Sequence, residues 1–135
     1  MNHSFNNLKG TIRGMHFQKE PHQEKKLVRC IKGSVFDVII DLRKESETFL
    51  KYISIELSEK NKTMILIPEN FAHGFQTLED NTELLYHHTE FYNKEFEDGL
   101  LYNDPQLKIT WPLPVTVISE KDKGYTPIIN KKFSN

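Results

Sequence analysis

The chain has 135 residues, 37% apolar and 27% charged, with a net charge of -1. That length suits one domain over residues 1–135 with a proper hydrophobic core, and the near-neutral charge argues against a nucleic-acid binder. No apolar run approaches the roughly 20 residues that span a bilayer, and the first residues do not resemble a signal peptide. Cys30 is the single cysteine, so it has no internal disulfide partner. A cytoplasmic protein with Cys30 as a small buried hydrophobe is the expectation.

Residues 1–9 are polar and suit a loop or a short edge strand. Gly10 to Gln18 reads as a strand in which an Arg, a His and a Gln alternate with apolar residues. Alternate side chains share a face. Ile12, Gly14, His16 and Gln18 are thus expected on one side, as the wall of a polar cavity, and Arg13, Met15 and Phe17 on the other. A loop broken by Pro21 follows, then short strands over Lys26 to Ile31 and Ser34 to Leu42. Asp37 interrupts the second of these and must be paired or face a cavity.

Phe49 to Leu57 and Thr63 to Ile67 are further strands. Gln76 to Leu78 and Glu83 to Thr89 suggest a hairpin around Glu79-Asp80-Asn81. Glu90 to Gly99 is the one place for a short helix, and the remainder, carrying Trp111, is expected to wrap the sheets. Many short strands with turns every eight to twelve residues predict an all-β jelly roll or sandwich, with any ligand in a cavity between its sheets.

Two chemistries fit the polar residues. Five histidines (His16, His22, His73, His87 and His88) suggest a metal, but metal-binding cupins usually pair a His with a second His two residues on. Here that second position is Gln18, a poor transition-metal ligand. The alternative is metal-free acid–base chemistry, with His16 as base, Lys26 as a fixed cation, Tyr86 as acid and Asp122 in support. Each of these also has a plain structural reading: a core histidine, a solvated lysine, a core aromatic, a turn residue. Spacing alone does not bring them together.

Arg13-Gly-Met-His-Phe-Gln18, Lys26-Leu-Val-Arg-Cys30, Gly33-Ser-Val-Phe-Asp-Val38, Phe71-Ala-His-Gly-Phe75, Asn103-Asp-Pro105, Trp111-Pro112 and Ser119-Glu-Lys-Asp122 closely resemble, in order, the dTDP-4-dehydrorhamnose 3,5-epimerase family. The resemblance runs from about Asn2 to Pro127. It implies a cupin-like double-stranded β-helix, a homodimer, no metal or other cofactor, and a nucleotide-linked 4-keto-6-deoxyhexose inverted at C3, C5 or both. It implies His16 as the base that removes a proton beside the keto group, with Asp122 orienting it. Lys26 would face the enolate oxygen, and Tyr86 would return a proton from the opposite face. Arg13, His73, Glu97 and Lys121 match positions that bind the sugar nucleotide, Tyr92 matches a cavity aromatic, and Gln18 belongs to the same substrate-facing set. Asp37 is expected to position the active-site histidines.

Two departures qualify the match. Relatives usually begin with a further stretch carrying an Arg-Gly-Phe-type motif, which helps form the nucleotide pocket and the dimer. This chain starts near the Asn-His-Ser that follows it, which implies a base-recognition region missing or rebuilt. Tyr102 stands where many relatives have Trp. Two competing readings follow: a catalytically silent sugar-nucleotide-binding module of the same fold, and a metal-dependent cupin enzyme.

Overall fold

A computed structural model describes residues 1–133. Nine strands run in chain order: β1 Asn2–Asn6, β2 Ile12–Gln18, β3 Lys26–Lys32, β4 Ser34–Asp41, β5 Tyr52–Ser58, β6 Met64–Ile67, β7 Phe71–Thr77, β8 Thr82–His88 and β9 Glu97–Gly99. They form two antiparallel sheets, ordered β1-β8-β3-β6 and β5-β4-β7-β2-β9. The architecture is a cupin-like jelly roll, and among the described residues helix is confined to a single turn, α1, at Glu120–Lys123 and a 3-10 turn at Ile128–Asn130.

Period two along the strands builds two apolar layers. Val28 and Cys30 of β3, Val35 and Ile39 of β4, Phe75 of β7 and Leu84 of β8 meet between the sheets. The alternate residues, Val38 and Ile40 of β4 with Met15 and Ala72, face outward and are covered by Leu100, Leu107 and Ile128 of the C-terminal wrap. β4 is therefore apolar on both faces, because both are buried. Trp111 packs edge-on against Phe36, and the Gln76 amide exchanges two hydrogen bonds with the Leu113 backbone. These contacts seal the wrap to the sheet.

Three local expectations are corrected. β7 and β8 are consecutive but do not form a hairpin. Both edges of β7 are taken by β2 and β4, so the turn around Glu79 carries the chain to the other sheet, where β8 pairs with β1 and β3. Residues 90–99 form no helix. Their backbone is spent on β2 instead: Asn93 N–H donates to the Gln18 amide oxygen at 2.9 Å, Lys19 N–H donates to the Phe96 carbonyl at 2.7 Å, and β9 pairs with β2.

The third correction concerns β2 itself. Arg13 lies opposite Phe75 and His16 opposite His73, so three steps of β2 face two of β7. This bulge adds one residue and breaks the alternation. Arg13 and His16 therefore line the same cavity, while Met15 turns into the outer core.

Candidate active site

The cavity lies between the sheets, with a volume of about 380 Å³. The five-stranded sheet contributes Arg13 and His16 from β2 and His73 from β7. The four-stranded sheet contributes Lys26 from β3 and Tyr86 and His88 from β8. A second chamber of about 200 Å³ shares His16, Lys26 and His88 and continues to Glu24, Tyr92, Glu97 and Lys121. Nine of the ten sequence-predicted residues line these two chambers; the tenth, Asp122, lies behind His16 and bonds to it.

His16 and Asp122 form a directed pair, with Nε2 2.7 Å from the carboxylate. The other Asp122 oxygen accepts from the Gly14 backbone N–H at 3.1 Å, and the Asp122 N–H donates to the capping Ser119 hydroxyl. The bulge supplies the free amide and α1 supplies the aim. Burial alone would raise the Asp122 carboxyl, but the bonds from His16 and Gly14 outweigh it and hold it below the usual carboxylate range. An ionised carboxylate only accepts, so His16 Nε2 carries the proton and Nδ1 keeps the lone pair of a base.

A second imidazole–carboxylate pair lies deeper. His73 Nε2 donates to Asp37 at 2.7 Å, and both side chains are buried. This is the partner that a carboxylate inside β4 requires. Tyr86 stacks edge-on against His73, with ring centroids 6.2 Å apart. Burial, helped by the Asp37 charge, pushes the Tyr86 phenol above its ordinary range. It therefore holds its proton and is a donor at neutral pH.

Lys26 is enclosed by the cavity walls. Burial pulls its ammonium below the ordinary lysine range, opposed by the charges of Glu24, Asp37 and Glu97. At the outer rim Lys121 pairs with Glu97, and the exposed Tyr92 hydroxyl adjoins the same carboxylate. Gln18 lies in the second chamber, but its amide ties two loops together: it donates to the His22 carbonyl at 2.9 Å and accepts from Asn93 N–H. Its geometry is that of a strut.

Among residues at the site outside the predicted catalytic and substrate-binding set are Glu24, His88 and Tyr125. Glu24 and His88 flank Lys26. For His88 the signal was present, since period two places it on the same face as Tyr86. Tyr125 packs edge-on against His16 with centroids 6.2 Å apart, and no pattern in its neighbourhood marks it.

The dTDP-4-dehydrorhamnose 3,5-epimerase family model matches residues 1–129. The dTDP-4-dehydrorhamnose 3,5-epimerase of Shigella flexneri is 47% identical over 121 residues, covering 90% of this chain and 66% of that protein. Among solved structures, the dTDP-4-dehydrorhamnose 3,5-epimerase of Bacillus anthracis str. Ames, with TDP and PPi bound, superposes with a TM-score of 0.92 at 41% identity, covering 94% of this chain and 73% of that one. The dTDP-6-deoxy-D-glucose-3,5-epimerase of Legionella pneumophila Philadelphia 1, in complex with dTDP-4-keto-L-rhamnose, gives 0.91 at 38% identity, covering 97% and 69%. The chain spans just under two thirds of the length of the Shigella protein. With its jelly roll, its cavity and its ordered motifs, the chain belongs to the dTDP-4-dehydrorhamnose 3,5-epimerase family.

Proposed function

We propose that this chain is a metal-independent epimerase that inverts C3, C5 or both of a nucleotide-linked 4-keto-6-deoxyhexose in deoxysugar biosynthesis. The observation that supports this is the position of His16 and Tyr86 on opposing sheets. His16 projects from the five-stranded sheet and Tyr86 from the four-stranded sheet, across one cavity. A sugar ring bound between them meets the base on one face and the acid on the other, which is what inversion requires. The bound dTDP-4-keto-L-rhamnose of the Legionella relative supports the substrate class.

His16 Nδ1 takes the proton from the carbon beside the ketone, and the C–H electrons move onto the 4-oxygen. The imidazolium is stabilised by Asp122. Lys26, itself largely buried in the cavity wall, faces the developing oxyanion, where a preorganised cation is worth more than in solution. Tyr86 then delivers its proton to the opposite face, and the ketone re-forms. Exchange with solvent restores both groups. Arg13 and Lys121 suit the diphosphate, since charge-assisted hydrogen bonds to such oxygens are strong. The active species is a cytoplasmic homodimer.

The test is product stereochemistry. Purified protein with dTDP-4-keto-6-deoxyglucose should give product whose ring proton couplings report inversion. Tyr86→Phe should slow inversion by about 10²-fold or more while sparing much of the wash-out of the abstracted hydrogen. Binding without any inversion would favour a silent sugar-nucleotide-binding module, and unimpaired inversion in Tyr86→Phe would remove Tyr86 from the acid's role.

A further inference from the structure

Lys26 stands directly across the β3–β8 ladder from His88. Glu24, on the loop entering β3, reaches both. One of its carboxylate oxygens lies 3.6 Å from Lys26 Nζ and the other 3.1 Å from His88 Nδ1. His88 Nε2 in turn meets the Asn2 side-chain amide of β1 at 3.3 Å. With Nδ1–H donated to the carboxylate, Nε2 is left to accept from Asn2. The bonds then run in one direction, from Asn2 through His88 to Glu24.

The Glu24 side chain is only 10% exposed. A carboxylate this enclosed is costly unless paired, and both of its partners line the cavity. The charged and titratable groups around Lys26 in the two chambers are Glu24 itself, Asp37 from β4, Arg13 and His16 from β2, His73 from β7, His3 from β1, Tyr86 and His88 from β8, Glu97 from β9, and Tyr92 and Lys121 at the outer rim. β6, on the other side of β3, brings no titratable group. Asp37 is bonded to His73 and Glu97 to Lys121. Glu24 alone among the carboxylates pairs with Lys26 among the described residues.

We propose that Glu24, held in place by His88, is a positioning residue for Lys26: it keeps the ammonium protonated and fixed at the cavity wall, ready for the oxygen on which negative charge develops. The last clause rests on the epimerase reading; the ion pair does not. Without Glu24 the burial that already depresses Lys26 acts with less opposition. The lysine then loses its proton at lower pH, and a neutral amine stabilises an enolate poorly.

Glu24→Gln preserves size and removes the charge. In protein labelled with 13C-lysine, the Lys26 Cε resonance, assigned through Lys26→Arg, should titrate about one unit or more lower in Glu24→Gln than in the wild type. The alkaline limb of kcat for substrate proton exchange should move down with it. Above the new midpoint kcat should fall about tenfold, with KM changing far less. An unchanged Lys26 midpoint overturns the proposal. If Glu24→Gln does not fold, Glu24→Asp keeps the charge but withdraws it by one methylene; it must shift Lys26 in the same direction to a smaller extent, and no shift is equally fatal. A wild type that exchanges no substrate proton, while Lys26 still shifts in the variant, would defeat the epimerase reading and leave the charge-holding role of Glu24 standing.

Discussion

Replacing His16 with Ala should reduce turnover by about 10²- to 10⁴-fold and abolish hydrogen exchange at the substrate carbons. The reason is specific to the geometry. Asp122 fixes the imidazole through Nε2 at 2.7 Å, which leaves Nδ1 of this ring to take the C–H proton. Removing the ring also leaves a buried carboxylate with a missing donor, at a stability cost of about 1–3 kcal/mol. His16→Gln separates the two effects, because its side-chain amide nitrogen reaches the position of the imidazole Nε2 and can still donate to Asp122 but cannot accept a carbon-bound proton. It should fold more stably than His16→Ala and be just as inactive. Thermal melting and steady-state rates on both variants check this, and substantial turnover in either would remove His16 from the base's role.

Gly14→Ala is expected to damage the fold most for the smallest chemical change. Gly14 sits in the β2 bulge with φ of +125°. A Cβ there would lie 2.6 Å from the Gly74 Cα and 2.9 Å from the His73 carbonyl oxygen. Both obstacles are backbone, so neither can swing aside. The conformational penalty of about 1–3 kcal/mol and overpacking of about 1–3 kcal/mol together imply a fall of roughly 10 °C or more in Tm. The same change pushes the Gly14 N–H away from Asp122, so residual folded protein should also be slow. A melting temperature near wild type would show that the bulge is more compliant than its contacts imply.

Lys26, Tyr86 and Asp122 were legible as a set through the ordered motifs of the family resemblance, and period two explains afterwards why Lys26 and Tyr86 share a wall. Lys26 and Val28 share a face of β3, and Tyr86 and His88 share one of β8, so the four-stranded wall of the cavity follows from alternation once the strands are drawn. Asp37 announced itself as a carboxylate inside an apolar strand, and its partner proved to be His73. What alternation could not give is the β2 wall. There one extra residue brings Arg13 to the same side as His16, and the bulge depends on close packing of Gly14 against Gly74, a contact between strands far apart in sequence. The pairing of β8 with β1 and β3 rather than β7 is likewise non-local. It depends on which edges are already occupied, which no window of residues reveals. Gln18 has a second part to play that no local pattern announces: it lines the second chamber and its amide also fastens the 19–22 and 91–93 loops. α1 is only four residues long, too short for helical periodicity, yet its Ser119-to-Asp122 cap is what aims the carboxylate at His16.

In the proposed reaction His16 and Tyr86 work on the two faces of one 4-keto sugar ring. Proton NMR of dTDP-4-keto-6-deoxyglucose incubated with the purified protein in heavy water tests it most directly. Deuterium should enter at C3, C5 or both, accompanied by inversion at the labelled carbon; entry at both marks a double epimerase and entry at one a single-site enzyme. Tight binding of this substrate, and of its counterparts carrying other nucleotides, with no deuterium at either carbon would contradict it.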